Sequence, residues 1–248
     1  MTYVKDDATR MQGDGSESRS MHVLYGGTFD PVHLGHLAIA EAARDALASD
    51  VWLVPAADPP HRAAPGADAS HRARMLELAV AGERGLRIDR REFARATPSY
   101  TVDTLREVRA EIGAAASLVF VMGADSLRAL HTWREWPSLL DLAHLAVAER
   151  PGQSIDAGLD PALASAFADR WTDDAEDLRR AASGRICRLR QPLHPASATQ
   201  VRAAIASGDE WRAQLPVAVS AYIDRHGLYA TSGAASGSSF SSIGEHRP

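Results

Sequence analysis

Short apolar runs alternate with stretches of helical periodicity along most of the chain. The apolar runs are typical of strands. They lie at 22–25, 51–55, 86–93, 117–122 and 144–149. The helical patterns lie at 33–48, 70–83, 99–112, 198–207 and 216–226, and shorter helices are predicted near 126–142. Because strands that alternate with helices of this length join through right-handed crossovers, the pattern predicts an α/β fold with a doubly wound parallel sheet.

One domain accounts for this pattern, with a tail at each end. Residues 151–182 contain Pro, Gly, Ala and Asp with weak periodicity, so we expect an irregular excursion before the chain returns at 185–190. Residues 21–230 show no internal repeat and no second hydrophobic core, so we expect them to form a single domain. Residues 1–20 are polar and residues 231–248 are rich in Ser and Gly, which is typical of flexible tails.

The composition narrows the possible partners. Lys and Arg number 27 and Asp and Glu 32, so the net charge of −5 argues against a general nucleic-acid or membrane-surface binder. No segment has the roughly 18 consecutive apolar residues of a membrane helix. The single cysteine, Cys187, excludes an internal disulfide and a thiolate-rich metal site, and it fits a core position in a cytoplasmic protein. The oligomeric state stays open, a homodimer included.

Lysine is almost absent, and this limits the possible chemistry. Lys5 is the only lysine in the sequence. A phosphate loop of the GxxxxGK[ST] kind, a lysine-linked adenylate and a Schiff base each need a lysine, so residues 6–248 cannot form them. Phosphate chemistry in this chain must therefore use arginine, histidine and backbone amides, and the arginine fork is suited to phosphate oxygens.

The stretch GGTFDPVHLGHL, which starts at Gly26, is the strongest chemical signal. Gly26 and Gly27 end the first predicted strand and let the backbone approach a ligand, and the following helix N-terminus favours an anion such as phosphate. His33 and His36 are three residues apart, so both project from one side of the first helical turn. Gly35 between them leaves that turn open to a bulky ligand. The alternative is an ordinary turn and helix start with structural histidines.

The residues GGTFDPVHLGH resemble the signature of the nucleotidylyltransferase superfamily, whose HxGH motif binds the triphosphate of ATP or CTP. Further stretches resemble the bacterial nicotinate-nucleotide adenylyltransferases, and the resemblance covers about residues 21–229 in the expected order. The stretches are PAADPPHR (55–62), RARMLELA (72–79), TPSYTVDTL (97–105), VFVMGADSL (119–127), Trp133, VAERPG (147–152), SATQVR (197–202) and LPVAVSAYIDRHGLY (215–229).

The resemblance implies a Rossmann-like nucleotidylyltransferase fold and a reaction in NAD biosynthesis. AMP passes from ATP to nicotinate mononucleotide, giving nicotinate adenine dinucleotide and pyrophosphate, with Mg²⁺ held mainly by the ATP phosphates. We expect a direct displacement at phosphorus without a covalent intermediate, and the near absence of lysine favours it over a route through an adenylated lysine. A nucleotide phosphate is already an anionic nucleophile, so cationic and amide donors should dominate the site.

The resemblance also assigns roles to individual residues. The catalytic set is His33, His36 and Arg202. The expected ATP-binding residues comprise these three together with Gly26, Gly27, Thr28, Phe29, Asp30, Gly123, Asp125, Ser197 and Thr199. Gly123 and Asp125 would face the ribose, and Ser197, Thr199 and Arg202 the β and γ phosphates. The expected pyridine-nucleotide residues are His61, Arg62, Tyr100, Thr101, Trp133 and Arg150.

Most of these motifs also have a purely structural interpretation. Ser197 can be a helix cap, Asp125 can cap the helix predicted near residue 126, and Trp133 can be a core aromatic. Thr97 or Ser99 can cap the helix that starts near residue 99. The Arg-rich stretch LRIDRREFAR (86–95) is predicted to be a half-exposed strand without chemistry. Three residues depart from the family pattern: Arg62, Arg134 and Ala198.

Two other functions stay open at this point. An adenylyltransferase of the same class can use nicotinamide mononucleotide or phosphopantetheine as the acceptor, because only a few donors near the ring distinguish a carboxylate from a carboxamide. A protein that keeps the fold without turnover would be a nucleotide-binding module.

Overall fold

One parallel sheet organises the residues that the computed structural model describes, which are 20–57, 66–95, 98–148, 155, 158–190 and 194–230. Its strands are β1 (Met21–Gly27), β2 (Val51–Pro55), β3 (Leu86–Ile88), β4 (Ser117–Gly123), β5 (His144–Ala148), β6 (Trp171–Thr172) and β7 (Ile186–Leu189). They lie in the order β3-β2-β1-β4-β5-β7-β6, and every neighbouring pair is parallel. The predicted doubly wound α/β fold is confirmed.

Helices connect the strands and cover both faces of the sheet. They are α1 (Leu34–Leu47), α2 (Ala69–Val80), α3 (Thr101–Ile112), α4 (Ala124–Arg128), α5 (Trp136–Leu142), α6 (Pro161–Phe167), α7 (Ala175–Arg180), α8 (Ala198–Ser207) and α9 (Val217–His226). Short 3₁₀ turns lie at Arg91–Ala94, Leu130–Thr132 and Arg212–Gln214. Within the described ranges, no helix is long and apolar enough to cross a membrane.

The core is divided by the sheet into two layers. Successive side chains of a strand point to opposite faces, so Tyr25 of β1 packs on the side of α1, α2, α8 and α9, whereas Leu24 packs on the side of α3, α4, α5 and α6. Every residue of β4 and β5 is buried. This burial on both faces explains why these two strands appear in the sequence as continuous apolar runs.

The third predicted strand is too long. It spans residues 86–93 in the prediction, but β3 ends at Ile88 and a 3₁₀ turn follows at Arg91–Ala94. The Asp89 side chain accepts hydrogen bonds from the backbone N–H of Arg91 (2.9 Å) and from its Nε (2.6 Å). This local bond offers the backbone an alternative to the sheet ladder and turns the chain.

The irregular excursion predicted for residues 151–182 is also wrong in part. The helices α6 and α7 and the short strand β6 lie within it. Asp160 accepts from the N–H of Ala162 ahead of Pro161 at the first helical position, and Asp174 accepts from the N–H of Glu176. Asp caps and an N-terminal Pro are start signals that compensate for weak periodicity in short helices.

The strand order reverses beside β1. The chain passes from β1 to β2 on one side, whereas β4 lies on the other side of β1. In open α/β sheets, ligands bind in the crevice beyond the carboxyl ends of the strands at such a switch point. Gly27 ends β1 and Gly123 ends β4, so two of the predicted ATP-binding segments flank this crevice.

Candidate active site

Two glycines at the end of β1 are needed for aromatic packing. A Cβ on Gly26 would lie 2.5 Å from Cζ of Phe120 on β4, and a Cβ on Gly27 would lie 2.9 Å from Cζ of Phe29. Phe29 itself is 1% exposed and adopts a left-handed conformation with φ of 50°. The end of β1 at the crevice therefore has no side chains. Contact of this segment with a nucleotide stays a prediction.

His33 and His36 form a stacked pair at the start of α1. Their ring centroids are 3.6 Å apart, and both residues are buried. His33 is the helix N-cap, its Nδ1 accepting from the His36 N–H at 3.3 Å, while His36 Nδ1 accepts from the His33 N–H at 3.2 Å. This reciprocal arrangement is a capping box built from two imidazoles.

The capping box fixes the tautomer of both histidines. Because each Nδ1 accepts a backbone hydrogen bond, the proton of each neutral ring lies on Nε2. Phe29 packs edge-on against His36, with 5.0 Å between the ring centroids, and holds the pair in place. Each neutral ring therefore carries its N–H group at Nε2, and an N–H group of this kind can donate to a phosphate oxygen.

A second helix N-terminus meets the first one. A Cβ on Gly35 would lie 3.3 Å from the carbonyl oxygen of Ala196, which precedes α8, and 3.1 Å from the His33 ring. The small size of Gly35 therefore serves contact between two protein segments, and room for a bulky ligand at this turn stays a prediction. Ser197, the N-cap of α8, makes no side-chain capping bond. The N-termini of α1 and α8 thus converge, and helix N-termini favour an anion.

Arg202 joins α8 to the segment between β1 and α1. Its NH1 donates to the carbonyl oxygen of Asp30 at 2.6 Å and lies 3.7 Å from Oδ2 of the same residue. The predicted phosphate residues His33, His36 and Arg202 are thus parts of one neighbourhood although they are distant in sequence. Thr199, in the first turn of α8, is exposed.

The Asp30 carboxylate is occupied within the protein. It accepts from the backbone N–H groups of Gly66 (2.7 Å) and Ala67 (3.1 Å) and from the Tyr229 hydroxyl (2.7 Å), and Asp30 is 5% exposed. These bonds tie the segment after β1 to the segment before α2 and to the end of α9. A nucleotide contact of Asp30 remains a prediction.

The end of β4 carries the residues expected to face the ribose. Gly123 is the N-cap of α4, and Asp125 lies in the first turn of that helix. A Cβ on Gly123 would lie 2.5 Å from Oδ1 of Asp125, so the carboxylate folds back over the glycine. The alternative, in which Asp125 caps a helix near residue 126, does not apply because the helix begins earlier, at Ala124.

The described part of the expected pyridine-nucleotide side is aromatic. Tyr100 precedes α3, whose first residue is Thr101. Trp133 packs edge-on against Phe120 with 6.5 Å between the ring centroids, and Phe120 in turn covers Gly26. Arg134 lies over the Tyr100 ring at 4.7 Å from its centroid. Arg134, which departs from the family pattern, thus covers one face of this aromatic group.

Several predicted positions lie outside the described residues. They are His61, Arg62, Thr97 and Arg150. Ser99, the other candidate cap of α3, is buried and donates to the carbonyl oxygen of Glu92 at 3.5 Å, and Tyr100 is the N-cap.

Arg72 is a buried arginine that the sequence reasoning left without a role. It is 1% exposed and donates to four backbone carbonyls, those of Thr28 (2.9 Å), Ala56 (2.5 Å), Ala57 (2.7 Å) and Ala67 (3.2 Å). The guanidinium therefore joins the segment after β1 to the segments after β2 and before α2. The signal in the sequence is a charged residue within the otherwise apolar face of α2 (buried Ala73, Met75, Leu76 and Ala79).

Glu92 is a second buried charge that the sequence reasoning missed, since the stretch 86–95 was predicted to be a half-exposed strand. Glu92 is 7% exposed, and burial raises the pKa of its carboxyl. Its Oε1 accepts from the hydroxyl of Thr104 on α3 at 2.7 Å, and Arg95 donates to the same hydroxyl at 2.8 Å. This network links the turn after β3 to α3.

The described residues hold no group of three or more His, Cys, Asp or Glu side chains that could hold a metal ion. Asp30, the acidic residue beside Arg202, already accepts three hydrogen bonds from the protein.

Comparison with known proteins agrees with this geometry. The model of the cytidylyltransferase-like family matches residues 24–211. A probable nicotinate-nucleotide adenylyltransferase of Stenotrophomonas maltophilia is 54% identical over 85% of this chain and 97% of its own, and one of Cronobacter sakazakii is 43% identical over 85% and 96%.

A solved structure shares the fold. Plasmodium falciparum nicotinic acid mononucleotide adenylyltransferase complexed with NaAD matches with a TM-score of 0.63 and 15% identity over 85% of this chain and 98% of that chain. The predicted family is confirmed by the sequence relatives, and the predicted fold by this neighbour. The chain belongs to the cytidylyltransferase-like family and, within it, to the nicotinate-nucleotide adenylyltransferases.

Proposed function

We propose that this chain transfers the adenylyl group of ATP to the phosphate of nicotinate mononucleotide, forming nicotinate adenine dinucleotide and pyrophosphate in NAD biosynthesis. The observation that carries the proposal is the stacked His33–His36 pair, with Arg202 nearby, at two converging helix N-termini. The 54% identity to a probable nicotinate-nucleotide adenylyltransferase supports the choice of substrate.

The chemistry follows from the charges that react. An oxygen of the acceptor phosphate attacks the α-phosphorus, the bond to the bridging oxygen breaks, and its electron pair leaves with pyrophosphate. The nucleophile is already anionic, so the site has to align two anions and to stabilise charge on the leaving group. In this proposal the Nε2–H groups of His33 and His36 donate to the triphosphate, and Arg202 with the amides of α8 holds the departing pyrophosphate.

Mg²⁺ belongs to the proposal as the counter-ion of ATP. Its chemistry there is to neutralise charge on the phosphate oxygens. In this proposal the ion is held mainly by the triphosphate. A single cysteine, buried and unpaired, fits a reducing cytoplasm as the place of the reaction.

Pyrophosphate release with ATP and Mg²⁺ tests the proposal. Nicotinate mononucleotide, nicotinamide mononucleotide and phosphopantetheine are compared as acceptors at equal concentration, and the adenylylated product is identified by mass spectrometry. We expect a kcat/KM for nicotinate mononucleotide at least about tenfold above that of each of the others. A preference for another acceptor would reject the substrate but keep the chemistry, and no release with any acceptor would favour a nucleotide-binding module.

A further inference from the structure

We infer that Tyr229 is a positioning residue, which holds Asp30 so that Arg202 stays available to the departing pyrophosphate. The inference rests on the proposed function, because that function gives Arg202 its role. Tyr229 lies just beyond α9, in the stretch LPVAVSAYIDRHGLY. This stretch resembles the family, but the resemblance assigns no role to any of its residues.

Tyr229 reaches the site from the other end of the chain. Its hydroxyl donates to Oδ1 of Asp30 at 2.7 Å across 199 residues of sequence. The ring packs beside Gly66, where a Cβ would lie 3.1 Å from its Cδ1 and Cε1 and 3.3 Å from Cδ of Arg202. Tyr229 has a φ of 66°, which is unfavourable for a residue with a side chain. An unfavourable backbone conformation that brings a hydroxyl to a buried carboxylate is typical of a functional site.

Two kinds of partner surround the Asp30 carboxylate: neutral hydrogen-bond donors and the cationic guanidinium of Arg202. Its Oδ1 accepts from Tyr229 and Ala67, and its Oδ2 accepts from Gly66. Arg202 NH1 lies 3.7 Å from Oδ2 and bonds instead to the Asp30 carbonyl oxygen at 2.6 Å. The carboxylate is thus satisfied by neutral donors, and the guanidinium keeps its remaining N–H groups for other acceptors.

Removal of the hydroxyl should change the partner of the carboxylate. A buried carboxylate that loses a donor is costly, and the Arg202 guanidinium, with NH1 3.7 Å from Oδ2, can compensate. A direct ion pair between Asp30 and Arg202 would hold the cation that should meet pyrophosphate. Burial, together with the Asp30 charge, raises the pKa of the Tyr229 phenol, so the hydroxyl remains a donor throughout the working pH range.

The variant Tyr229→Phe, assayed in the full chain, tests the inference. We expect kcat to fall about tenfold, with the KM for nicotinate mononucleotide changed less than about twofold, since Arg202 acts on the leaving group. The matched control is Tyr222→Phe on α9, whose hydroxyl is 2.9 Å from His71 Nδ1, and kcat should not change there. An unchanged kcat in Tyr229→Phe would overturn the inference.

A double-mutant cycle separates positioning from simple destabilisation. In an Arg202→Ala background the additional Tyr229→Phe change should lower kcat less than about twofold, because the residue through which Tyr229 acts is gone. A further tenfold loss in that background would show that Tyr229 acts independently of Arg202, and would overturn the inference.

A second test measures the affinity for inorganic pyrophosphate by calorimetry and does not depend on catalytic turnover. Tyr229→Phe and Arg202→Ala should each weaken binding about tenfold, whereas Tyr222→Phe should not. If the wild type adenylylates none of the three acceptors, the proposed function fails while this measurement still decides the inference. Equal pyrophosphate affinity in Tyr229→Phe and the wild type would overturn it.

Discussion

At the scale of single residues, His36 has two tasks that mutation can separate. Its Nδ1 accepts the His33 N–H in the capping box, and its Nε2–H is the donor proposed for the triphosphate. Glutamine at this helix position can still reach back to the cap N–H, whereas alanine cannot. His36→Gln therefore removes the imidazole donor and keeps the cap.

We expect His36→Gln to lower kcat about 10²-fold with a much smaller change in ATP affinity, because a donor to developing charge acts mainly in the transition state. His36→Ala should show the same loss of kcat and also lose about 1 kcal/mol of stability with the cap. Steady-state kinetics, ATP titration and urea unfolding of both variants check this. An equal loss in ATP affinity and kcat in His36→Gln would remove the transition-state role.

Single residues also show where sequence reasoning ends. The spacing of His33 and His36 predicts that both lie on one side of the first turn, and the stacked rings agree. The role of Gly35 was not predictable in this way, because the carbonyl that it accommodates belongs to Ala196, in a distant segment. Local spacing determines neighbours within a helix, whereas contacts between distant segments depend on the folded backbone.

At the scale of elements, α2 supplies a buried arginine, Arg72, whose side-chain hydrogen bonds hold three irregular segments together. Arg72 donates to half-buried carbonyls after β1 and β2 and to the carbonyl of Ala67, so its loss removes a charged donor from four backbone acceptors. Arg72→Met should lower the free energy of unfolding by about 3 kcal/mol, because several carbonyls lose a hydrogen bond to a charged donor at once.

Arg74, also on α2, is the matched control for Arg72→Met. Its side chain is 54% exposed and pairs with Glu77, so Arg74→Met should change stability by at most about 1 kcal/mol. Arg72→Lys keeps the charge without the planar fork and should fall between wild type and Arg72→Met. Urea unfolding of the three variants measures the effect. Equal unfolding midpoints for Arg72→Met and Arg74→Met would show that the four hydrogen bonds contribute nothing.

Elements differ in how well the sequence predicts them. The central strands β4 and β5 are continuous apolar runs, and α1 has clear periodicity, so their positions follow from the sequence. The end of β3 does not, because one Asp89 side chain decides it. The short helices α6 and α7 have too few turns to show a helical period in the sequence. Their starts depend instead on the Asp side chains that cap them.

At the scale of the whole molecule, the alternation of strands and helices limits the topology to a doubly wound sheet, and the switch point then indicates where ligands bind. The buried charges around that crevice were harder to predict. Arg72, Glu92 and Asp30 are polar residues whose burial depends on partners far away in sequence. Hydrophobic periodicity assigns polar residues to the surface, so it gives the wrong burial for charged residues that lie in the interior.

One buried titratable group makes the stability of the whole molecule depend on pH. His144 on β5 is completely buried, and its Nδ1 accepts from the Arg185 N–H at 3.0 Å. Its Nε2 lies 3.1 Å from the Ala181 carbonyl oxygen, so the neutral ring carries its proton on Nε2. Burial lowers the pKa of His144 below the value of 6.5 for an unfolded chain.

The sign of the effect follows from proton binding. Below pH 6.5 the unfolded chain takes up a proton at His144 that the folded chain does not, so this contribution to stability is present above pH 6.5 and is lost as the pH falls toward the lowered pKa. The slope of stability against pH reaches at most about 1.4 kcal/mol per pH unit.

Urea unfolding between pH 5 and pH 7.5 should therefore show a flatter dependence of stability on pH in His144→Gln than in wild type. The exposed His131→Gln is the control and should keep the wild-type slope. Parallel curves for His144→Gln and wild type would mean that His144 binds its proton equally in both states, contrary to its complete burial between two backbone partners.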